Sequence, residues 1–295
     1  MAAGAQLDIA KVRGSFPALA RDQVFFDNAG GSQTLGTVID SIRDYLTNTN
    51  VQLGASYATG VKSTTKYSEG YEAAAKYINA STEEIVLGSS TTQLFRNVSY
   101  ALKFSEGDEI VVSALDHEVN IAPWTRLRSL GHFFNRHDTL EDKLGLAGAS
   151  YELVAAIPAV VSYLDGLDAA AVEAQETRLS ETLLRYLNGR GGSSSGSSGG
   201  DVTIYGEKTA DSAVRVPTIA FTVKGWSSRD LVEALEKVTN FGFRWGNFYS
   251  VRLIQEQLGL PSSDGVVRVS MVHYNTVEEV EAFVKALDKT LSSRT

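Results

Sequence analysis

The segment of residues 84–96 constrains this chain more than any other, because it joins a strand pattern to a helix pattern through a tight turn. The apolar run Ile85–Leu87 predicts a buried strand, and Gly88 followed by two serines predicts its end. From Thr91 onwards, apolar residues recur with helical spacing. A strand that turns through small hydroxyl residues into a helix leaves free backbone N–H groups at the positive end of the helix dipole.

The hydroxyl residues at this helix start have two alternative roles. Ser90, Thr91 and Thr92 can cap the helix by accepting from its first N–H groups. They can also donate to an anion that binds at the helix terminus, in which case the segment is a phosphate site. Both interpretations remain open on this segment alone, because helix caps are common.

A second apolar segment follows the helix and extends this pattern. Residues 109–115 predict another strand, which ends in a loop that contains His117. Strand, helix and strand in this order predict a parallel βαβ unit, and ligands bind at the carboxyl ends of strands in such sheets. We therefore expect Thr91 and His117 to face the same crevice.

Two further side chains are candidates for chemistry. His117 lies between two acids, where it could stack on a flat cofactor, transfer a proton or hydrogen-bond its own loop. Arg268 lies in the alternating strand pattern of residues 266–272, where it could clamp a carboxylate with its fork or simply face solvent. We expect no metal, because Asp116 and Glu118 are adjacent to His117 on one loop and such residues rarely converge on one ion.

Composition narrows the class of protein. Hydrophobic residues make up 43% and charged residues 21% of the 295 residues, which predicts a packed core. The formal net charge of −8 argues against nucleic acid as the main partner. The chain contains no cysteine, which excludes disulfides, thiolate metal sites and a cysteine nucleophile. No basic apolar leader and no long apolar run are present, so we expect a cytoplasmic protein that does not enter membranes.

The composition changes along the chain and predicts four regions. Residues 1–127 form the N-terminal segment and part of a cofactor-binding domain, and residues 128–190 form a junction with connecting helices. Residues 191–200 are a Gly/Ser linker, either a natural loop or an engineered replacement for one. Residues 201–295 form a small α+β domain.

Five motifs in this order resemble the class V aminotransferases, fold-type I enzymes that depend on pyridoxal phosphate and include the cysteine desulfurases. The likeness is greatest to the cysteine desulfurase-like branch and covers about residues 12–127 and 145–291. It implies an α/β fold of the fold-type I transferase kind, with a truncated large-domain sheet and an α+β C-terminal small domain. The motifs are Phe26-Asp27-Asn28-Ala29-Gly30-Gly31, Gly88-Ser89-Ser90-Thr91-Thr92-Gln93, the segment from Asp116 to Trp124, the segment from Arg244 to Ser250, and the segment from Val267 to Glu279.

The resemblance also implies roles for individual residues. In the family, the positions of Ser90, Thr91 and Thr92 hold the cofactor phosphate, and the position of His117 stacks on the pyridine ring. The position of Arg268 binds the carboxylate of the substrate. The resemblance implies that Asn28 lines the substrate side, that the substrate is a small amino acid, and that the protein is a homodimer.

Two departures from the family pattern affect the expected chemistry. Tyr249 and Ser250 stand where a desulfurase has its reactive cysteine, so persulfide chemistry is not expected. A central block that brings an aspartate for the pyridine nitrogen and the Schiff-base lysine is missing after residue 127. No lysine of this chain stands in the matching context, and Lys143 after the junction also lacks it. We therefore assign no catalytic residue.

These expectations give two functional hypotheses. The first is a pyridoxal-phosphate enzyme with C–S lyase, epimerase or transaminase chemistry that is impaired in this form and binds the cofactor non-covalently at best. The second is a non-catalytic binding or interaction protein, or an engineered deletion of such an enzyme. A shortened sheet also predicts an exposed apolar edge strand.

Overall fold

The computed structural model describes residues 6–125, 140, 144–145, 149–191 and 200–293. The chain divides into two compact units. The first unit contains Met1–Thr34, Leu167–Phe248 and Ile254–Thr295. The second unit contains Leu35–Gly166 and Tyr249–Leu253.

The described residues form helices, short helical turns and strands. The helices are α1 Ile9–Gly14, α2 Gly36–Asn48, α3 Ala58–Tyr77, α4 Thr91–Ala101, α5 Ala122–Thr125, α6 Tyr151–Val154, α7 Ile157–Asp165, α8 Ala169–Arg190, α9 Ser228–Glu236 and α10 Val277–Ser292. Short 3-10 turns lie at Pro17–Ala20, Thr82–Glu84 and Glu118–Asn120, and a π-helical turn lies at Leu253–Gln257. The strands are β1 Val24–Phe25, β2 Val202–Tyr205, β3 Thr218–Val223, β4 Phe241–Gly242, β5 Arg244–Gly246 and β6 Val266–Ser270.

The first unit is built on an antiparallel sheet with strand order β2-β3-β6-β5. A separate parallel pair joins β1 to β4. Along β3, buried residues alternate with half-buried ones, so one face of the strand points into the core. Helix α8 packs against α10 and against β2 and β3. The core includes Phe26, Leu183, Phe221 and Phe283. Burial of each such side chain contributes about 1.5–3 kcal/mol relative to exposure.

The second unit is mainly helical. Helix α3 packs against α6 and α7, and α2 packs against the same two helices. The close approach of α3 to α6 requires Gly70, because a Cβ at this position would collide with the backbone of Val154. A small core of Tyr71, Ala75 and Ile85 gathers around Val154.

Most elements that the sequence predicts are present. The sequence predicts helices at residues 35–48, 63–79 and 169–187 and from Thr91 and Ser227, strands at residues 202–205, 218–223 and 266–272, and a helical turn at residues 81–84. Helices α2, α3, α4, α8 and α9, the strands β2, β3 and β6 and the turn at Thr82–Glu84 form at these places. The last helix starts with a capping box, in which Thr276 accepts from the backbone of Glu279 and Glu279 accepts from the backbone of Thr276. The apolar spacing of residues 150–164 predicts one continuous helix, and this prediction is wrong. Helix α6 ends at Val154, and a new helix begins at Ile157 with Pro158 in its first turn.

The prediction of a parallel βαβ unit is wrong for this structure. Neither Ile85–Leu87 nor residues 109–115 form a strand, although Ile85 is buried and its backbone is extended. A strand requires a hydrogen-bonded neighbour, and the described residues supply none for either segment. The second segment is instead exposed, and Val111 keeps 94% of its surface in solvent. The exposed apolar segment that a shortened sheet predicts is therefore present, but it is not a strand.

The sequence predicts a helix from Phe248 to Leu258, and the helical segment begins later than this. Phe248 and Tyr249 have positive φ angles of 50° and 61°, and the helical turn starts only at Val251. Side chains other than glycine rarely adopt this left-handed conformation, and such residues occur preferentially at functional sites.

Two regional predictions stay predictions. The Gly/Ser linker falls almost entirely on residues 192–199, and the start of the junction falls on residues 126–139, both of which lie outside the described residues. The division into residues 1–127, 128–190, 191–200 and 201–295 therefore remains a proposal. Lys143 also lies outside the described residues.

The length and hydropathy of the helices test whether any of them could span a membrane. Within the part of the chain that the structure describes, no single helix is long and apolar enough to cross a bilayer. One bent pair, Tyr151–Asp165 with Ala169–Arg190, meets that criterion jointly across a bend of 83°.

Candidate functional site

The start of α4 in the second unit carries a conventional cap and unused donors. Ser90 Oγ accepts a hydrogen bond from the backbone N–H of Gln93 at 3.2 Å, so the capping interpretation is confirmed for Ser90. The backbone N–H groups and hydroxyls of Thr91 and Thr92 make no hydrogen bond to any described residue, and both residues are exposed. Thus the cap leaves two N–H groups at the positive end of the helix dipole, which is the arrangement that binds anions.

Gln93 adds an observation that the sequence analysis did not single out. Both polar atoms of its side-chain amide, Oε1 and Nε2, are buried and have no hydrogen-bond partner among the described residues. The side chain packs against Gly88, where any Cβ would collide with Gln93 Oε1. An unsatisfied buried polar group costs about 1–3 kcal/mol, so a buried amide at a helix start points to a polar ligand there. The sequence signal was present, because Gln93 ends the Gly88–Gln93 motif.

His117 is held by its own loop in the second unit. Its Nδ1 accepts from the backbone N–H of Val119 at 3.0 Å and caps the turn Glu118–Asn120. The imidazole lies 5.3 Å from the ring of Tyr249, centroid to centroid, with the planes tilted by 42°. The backbone N–H of Glu118 donates to the carbonyl of Tyr249 at 2.9 Å, which ties the two loops together.

The turn that His117 caps is in contact with α4. Helix α4 packs against Glu118–Asn120 and against α5, and the rings of Phe95 and Trp124 meet edge to face at 6.3 Å. The structure thus brings the His117 loop against the helix that Thr91 begins, without the predicted strands. The loop hydrogen bond of His117 is confirmed, and its roles in stacking or proton transfer stay predictions.

Both polar atoms of the Asn28 side chain, in the first unit, form hydrogen bonds within the protein. Its Nδ2 donates to the carbonyls of Ser270 at 2.9 Å and Phe25 at 3.0 Å, and to Asn275 Oδ1 at 3.1 Å. Its Oδ1 accepts from the hydroxyl of Tyr274. These bonds tie the turn after β1 to the end of β6, and the substrate role of Asn28 stays a prediction.

Arg268 is a paired, largely buried side chain and not an exposed strand residue. Its side chain is 14% exposed, and Nη2 donates to Asp27 Oδ1 at 2.6 Å. The guanidinium carbon lies 3.8 Å from the centroid of the Phe248 ring, in cation–π geometry. Its Nε is buried without a partner among the described residues. Arg268 therefore keeps at least one N–H group that has no acceptor among the described residues.

Arg244 is a second cation in this cluster, and sequence reasoning missed it. It lies directly opposite Arg268 across β5 and β6, and its Nη1 is 3.8 Å from Asp27 Oδ2. Like charges opposite each other destabilise a sheet unless a counter-ion lies between them. Asp27 supplies that charge, and Gly30 leaves room for its carboxylate, because a Cβ there would meet it at 3.0 Å. Asp27 and Arg244 both lie in motifs that carry the family resemblance, so the sequence did mark both positions.

Two titratable groups of the first unit have shifted pKa values. Burial lowers the pKa of His273 below the ordinary 6.5. Burial also raises the pKa of Glu176, partly offset because Glu176 Oε1 accepts from the backbone N–H of His273 at 3.1 Å. Among the described residues, no group of three or more His, Cys, Asp or Glu side chains could hold a metal ion.

Comparison with solved structures shows which fold this chain has. The fold matches the apo cysteine desulfurase from Thermococcus onnurineus NA1 with a TM-score of 0.81 over 99% of this chain and 100% of that chain, at 16% identity. It matches the cysteine desulfurase CsdA from Escherichia coli with a TM-score of 0.76 over 98% and 99%, at 18% identity. These matches confirm the predicted α/β fold of the fold-type I kind.

Sequence comparison identifies the family. The Aminotransferase class-V profile matches residues 24–133 and 150–283, so the chain belongs to the class-V aminotransferase family, as the motifs predicted. It is 37% identical to the aminotransferase-like protein FGM3 of Gibberella zeae over 96% of this chain and 98% of that protein. It is 24% identical to the cysteine desulfurase-like protein ustD of Aspergillus flavus over 98% and 92%.

The alignments are longer than the chain. The alignment to the Gibberella zeae protein spans 405 positions, although the chain has 295 residues, so at least 110 positions have no counterpart in this chain. The alignment to the Aspergillus flavus protein spans 412 positions.

The residues present fit part of the cofactor that this family uses, pyridoxal phosphate. The N–H groups and hydroxyls of Thr91 and Thr92, which bond no described residue, suit a phosphate. The buried amide of Gln93 offers a further donor, and the His117 ring suits a flat face. Among the described lysines of the second unit, Lys66 and Lys76 are paired with Asp44 and Asp165. No described residue is identified as the partner of the cofactor's aldehyde or pyridine nitrogen.

Proposed function

We propose that this chain binds pyridoxal phosphate at the start of α4 and against His117, and that Arg268 binds the carboxylate of a small amino acid. When bound, the cofactor supplies an electron sink for bonds at the amino-acid α-carbon. The proposal is supported most strongly by the start of α4. There, two N–H groups and two hydroxyls that bond no described residue lie close to the buried amide of Gln93, which also has no partner in the described part of the chain.

The electrostatic part of this proposal follows from the helix. Each free N–H of Thr91 and Thr92 points along the helix axis toward the N-terminus, where the dipole carries about half a positive charge. A phosphate that accepts from these groups makes charge-assisted hydrogen bonds, each worth about 1.5–3 kcal/mol. Ser90 keeps the helix start fixed, because its own side chain already caps Gln93.

The carboxylate part rests on Arg268 in the first unit. A guanidinium presents a planar fork that matches a carboxylate, and the Phe248 ring fixes its plane. The alternative that Arg268 is a solvated strand residue is excluded by its 14% exposure and its pairing.

We further propose that turnover is impaired in this form. Members of the family attach the cofactor to a lysine, and at least 110 aligned positions of a relative have no counterpart in this chain. We assign the lysine and the pyridine-nitrogen aspartate to that missing block, so that the cofactor binds non-covalently. In this proposal the chain is a natural or engineered deletion of a longer enzyme. That longer enzyme is a cytoplasmic homodimer with C–S lyase, epimerase or transaminase chemistry.

The test is a titration with pyridoxal phosphate followed by absorbance in the near ultraviolet. We expect saturable binding of the cofactor. After treatment with borohydride, the measured mass of the chain should show no covalent adduct. A lysine adduct would show that the impairment proposal is wrong, and the absence of any binding would overturn the cofactor site.

A matched pair of variants at Thr91 makes the test specific. Thr91→Pro removes one N–H donor and one hydroxyl, and proline is compatible with the first helical position after the extended Ser90. We expect it to weaken cofactor binding about tenfold or more, from the loss of one charge-assisted bond. Thr91→Ser keeps both donors and should bind like the parent chain, while Thr47→Ala on α2 controls for the loss of a threonine elsewhere.

A further inference from the structure

Asp27 lies between two arginines on neighbouring strands of the first unit. Its Oδ1 accepts from Arg268 Nη2 at 2.6 Å, and its Oδ2 lies 3.8 Å from Arg244 Nη1. The two arginines are register partners across β5 and β6, so the cluster contains two cations and one anion. The second oxygen of Asp27 is therefore already directed at its alternative partner.

The pairing with Asp27 limits how Arg268 can bind another carboxylate. A guanidinium binds a carboxylate with two bonds either through Nε and Nη2 or through Nη1 and Nη2. Both edges include Nη2, which donates to Asp27, and Nε is buried without a partner among the described residues. A ligand carboxylate at either edge would lie against the like charge of Asp27. Repulsion between the two carboxylates therefore weakens a two-bond grip on Arg268 unless Asp27 moves away.

Arg244 can form an ion pair with Asp27 when Asp27 moves away from Arg268. Its side chain is 53% exposed, so it can move without losing core contacts. The Phe248 ring lies 5.8 Å from the guanidinium carbon of Arg244 and 3.8 Å from that of Arg268. Phe248 adopts a φ of 50°, and this strained conformation holds the ring beneath both cations. The contact of this ring with Arg268 does not involve Asp27.

We propose that a ligand carboxylate displaces Asp27 from Arg268, and that Asp27 then pairs with Arg244. Asp27 acts as an internal competitor of the ligand, and Arg244 is a positioning residue that lowers the cost of displacing it. This inference rests on the proposed role of Arg268 in carboxylate binding.

The test is a titration with sodium acetate at constant ionic strength, followed by the Nε–H signals of ¹⁵N-labelled arginine. Asp27→Asn removes the competitor and should tighten acetate binding about fivefold, the upper range for a partly exposed ion pair. Arg244→Gln removes the alternative partner of Asp27 and should weaken binding about threefold. Arg229→Gln, an exposed arginine of the same unit, should leave binding unchanged.

The double variant separates counter-ion exchange from a simple effect of local charge. If Asp27 moves to Arg244, then Arg244→Gln has no further effect once Asp27 is asparagine. If Arg244 only attracts the anion through its field, its loss weakens binding equally in both backgrounds, and that result overturns the inference. Acetate binding that survives Arg268→Gln unchanged would instead overturn the proposed role of Arg268.

A measurement on the parent chain covers the case in which Asp27→Asn does not fold. The carboxyl carbon of Asp27 and the Nε–H of Arg244 should shift together with Arg268 as acetate binds. An Asp27 carboxyl signal that stays constant while Arg268 saturates contradicts the exchange.

Discussion

The imidazole of His117 accepts a hydrogen bond through Nδ1 from the backbone N–H of Val119 at 3.0 Å. An acceptor at Nδ1 places the proton of the neutral ring on Nε2. The same bond fixes the ring at the edge of its loop, because His117 is the cap residue of the turn Glu118–Asn120. The loop thus orients the face of the imidazole before any ligand arrives.

The role of His117 in cofactor binding can be separated from its role as a cap. His117→Asn keeps a side chain that caps well but removes the ring. If the ring stacks on pyridoxal phosphate, we expect cofactor affinity to fall about three- to tenfold, since ring stacking contributes about 0.5–1.5 kcal/mol. Affinity is measured by absorbance titration, and His117→Phe, which keeps a ring, should retain most of it. Equal affinity in His117→Asn and the parent chain would contradict stacking.

The cap at Ser90 should matter for stability as well as for the site. Ser90→Ala leaves the N–H of Gln93 without its 3.2 Å partner. We expect a loss of about 1 kcal/mol in the free energy of unfolding, measured by urea denaturation. Ser89→Ala is the matched control, because this exposed neighbour makes no cap, and it should change stability by less than about 0.5 kcal/mol. Similar losses in both variants would mean that the cap contributes nothing specific.

The lowered pKa of His273 predicts a pH-dependent stability. Burial favours the neutral imidazole, so the unfolded chain binds the proton more readily than the folded one. The contribution is fully present above the ordinary pKa of 6.5 and is lost as the pH falls through 6.5 toward the lower folded value. We therefore expect the thermal unfolding temperature of the unmutated chain to fall as the pH is lowered through this range.

The matching variant isolates this effect. His273→Gln removes the titrating group and should flatten the profile between about pH 7 and the lowered pKa. The raised pKa of Glu176 acts in the opposite direction, since its ionisation above the ordinary 4.5 destabilises the fold. An unchanged slope in His273→Gln, measured just below the ordinary pKa of the imidazole, would show that another group carries the dependence.

The exposed segment around Val111 should limit solubility. Val111 keeps 94% of its surface in solvent, and its apolar neighbours Ile110 and Val112 are also exposed. An apolar segment of this kind, which has no partner strand among the described residues, is prone to pair with other chains. Val111→Lys should reduce light scattering on heating while changing the free energy of unfolding by less than about 0.5 kcal/mol. Val61→Lys, at an exposed valine on α3, controls for the added charge. If it reduces light scattering as much as Val111→Lys does, the segment around Val111 has no special role in association.

Local sequence determined the helix starts and the strands that have nearby partners. Ser90, Ser227 and Thr276 cap their helices as their residue types predict, because a cap depends only on the next three residues. The strand expected at residues 218–223 likewise forms, as β3. The family and the fold class were also accessible from the motifs.

Tertiary structure alone decided which strands form and what Arg268 contacts. Residues 85–87 and 109–115 have the sequence of strands, but a strand exists only when a neighbour supplies its hydrogen bonds. The partner of Arg268 is Asp27, which is 241 residues away, and no local pattern encodes so distant a contact. Propensity is a property of a few consecutive residues, whereas pairing depends on every segment that folding brings together.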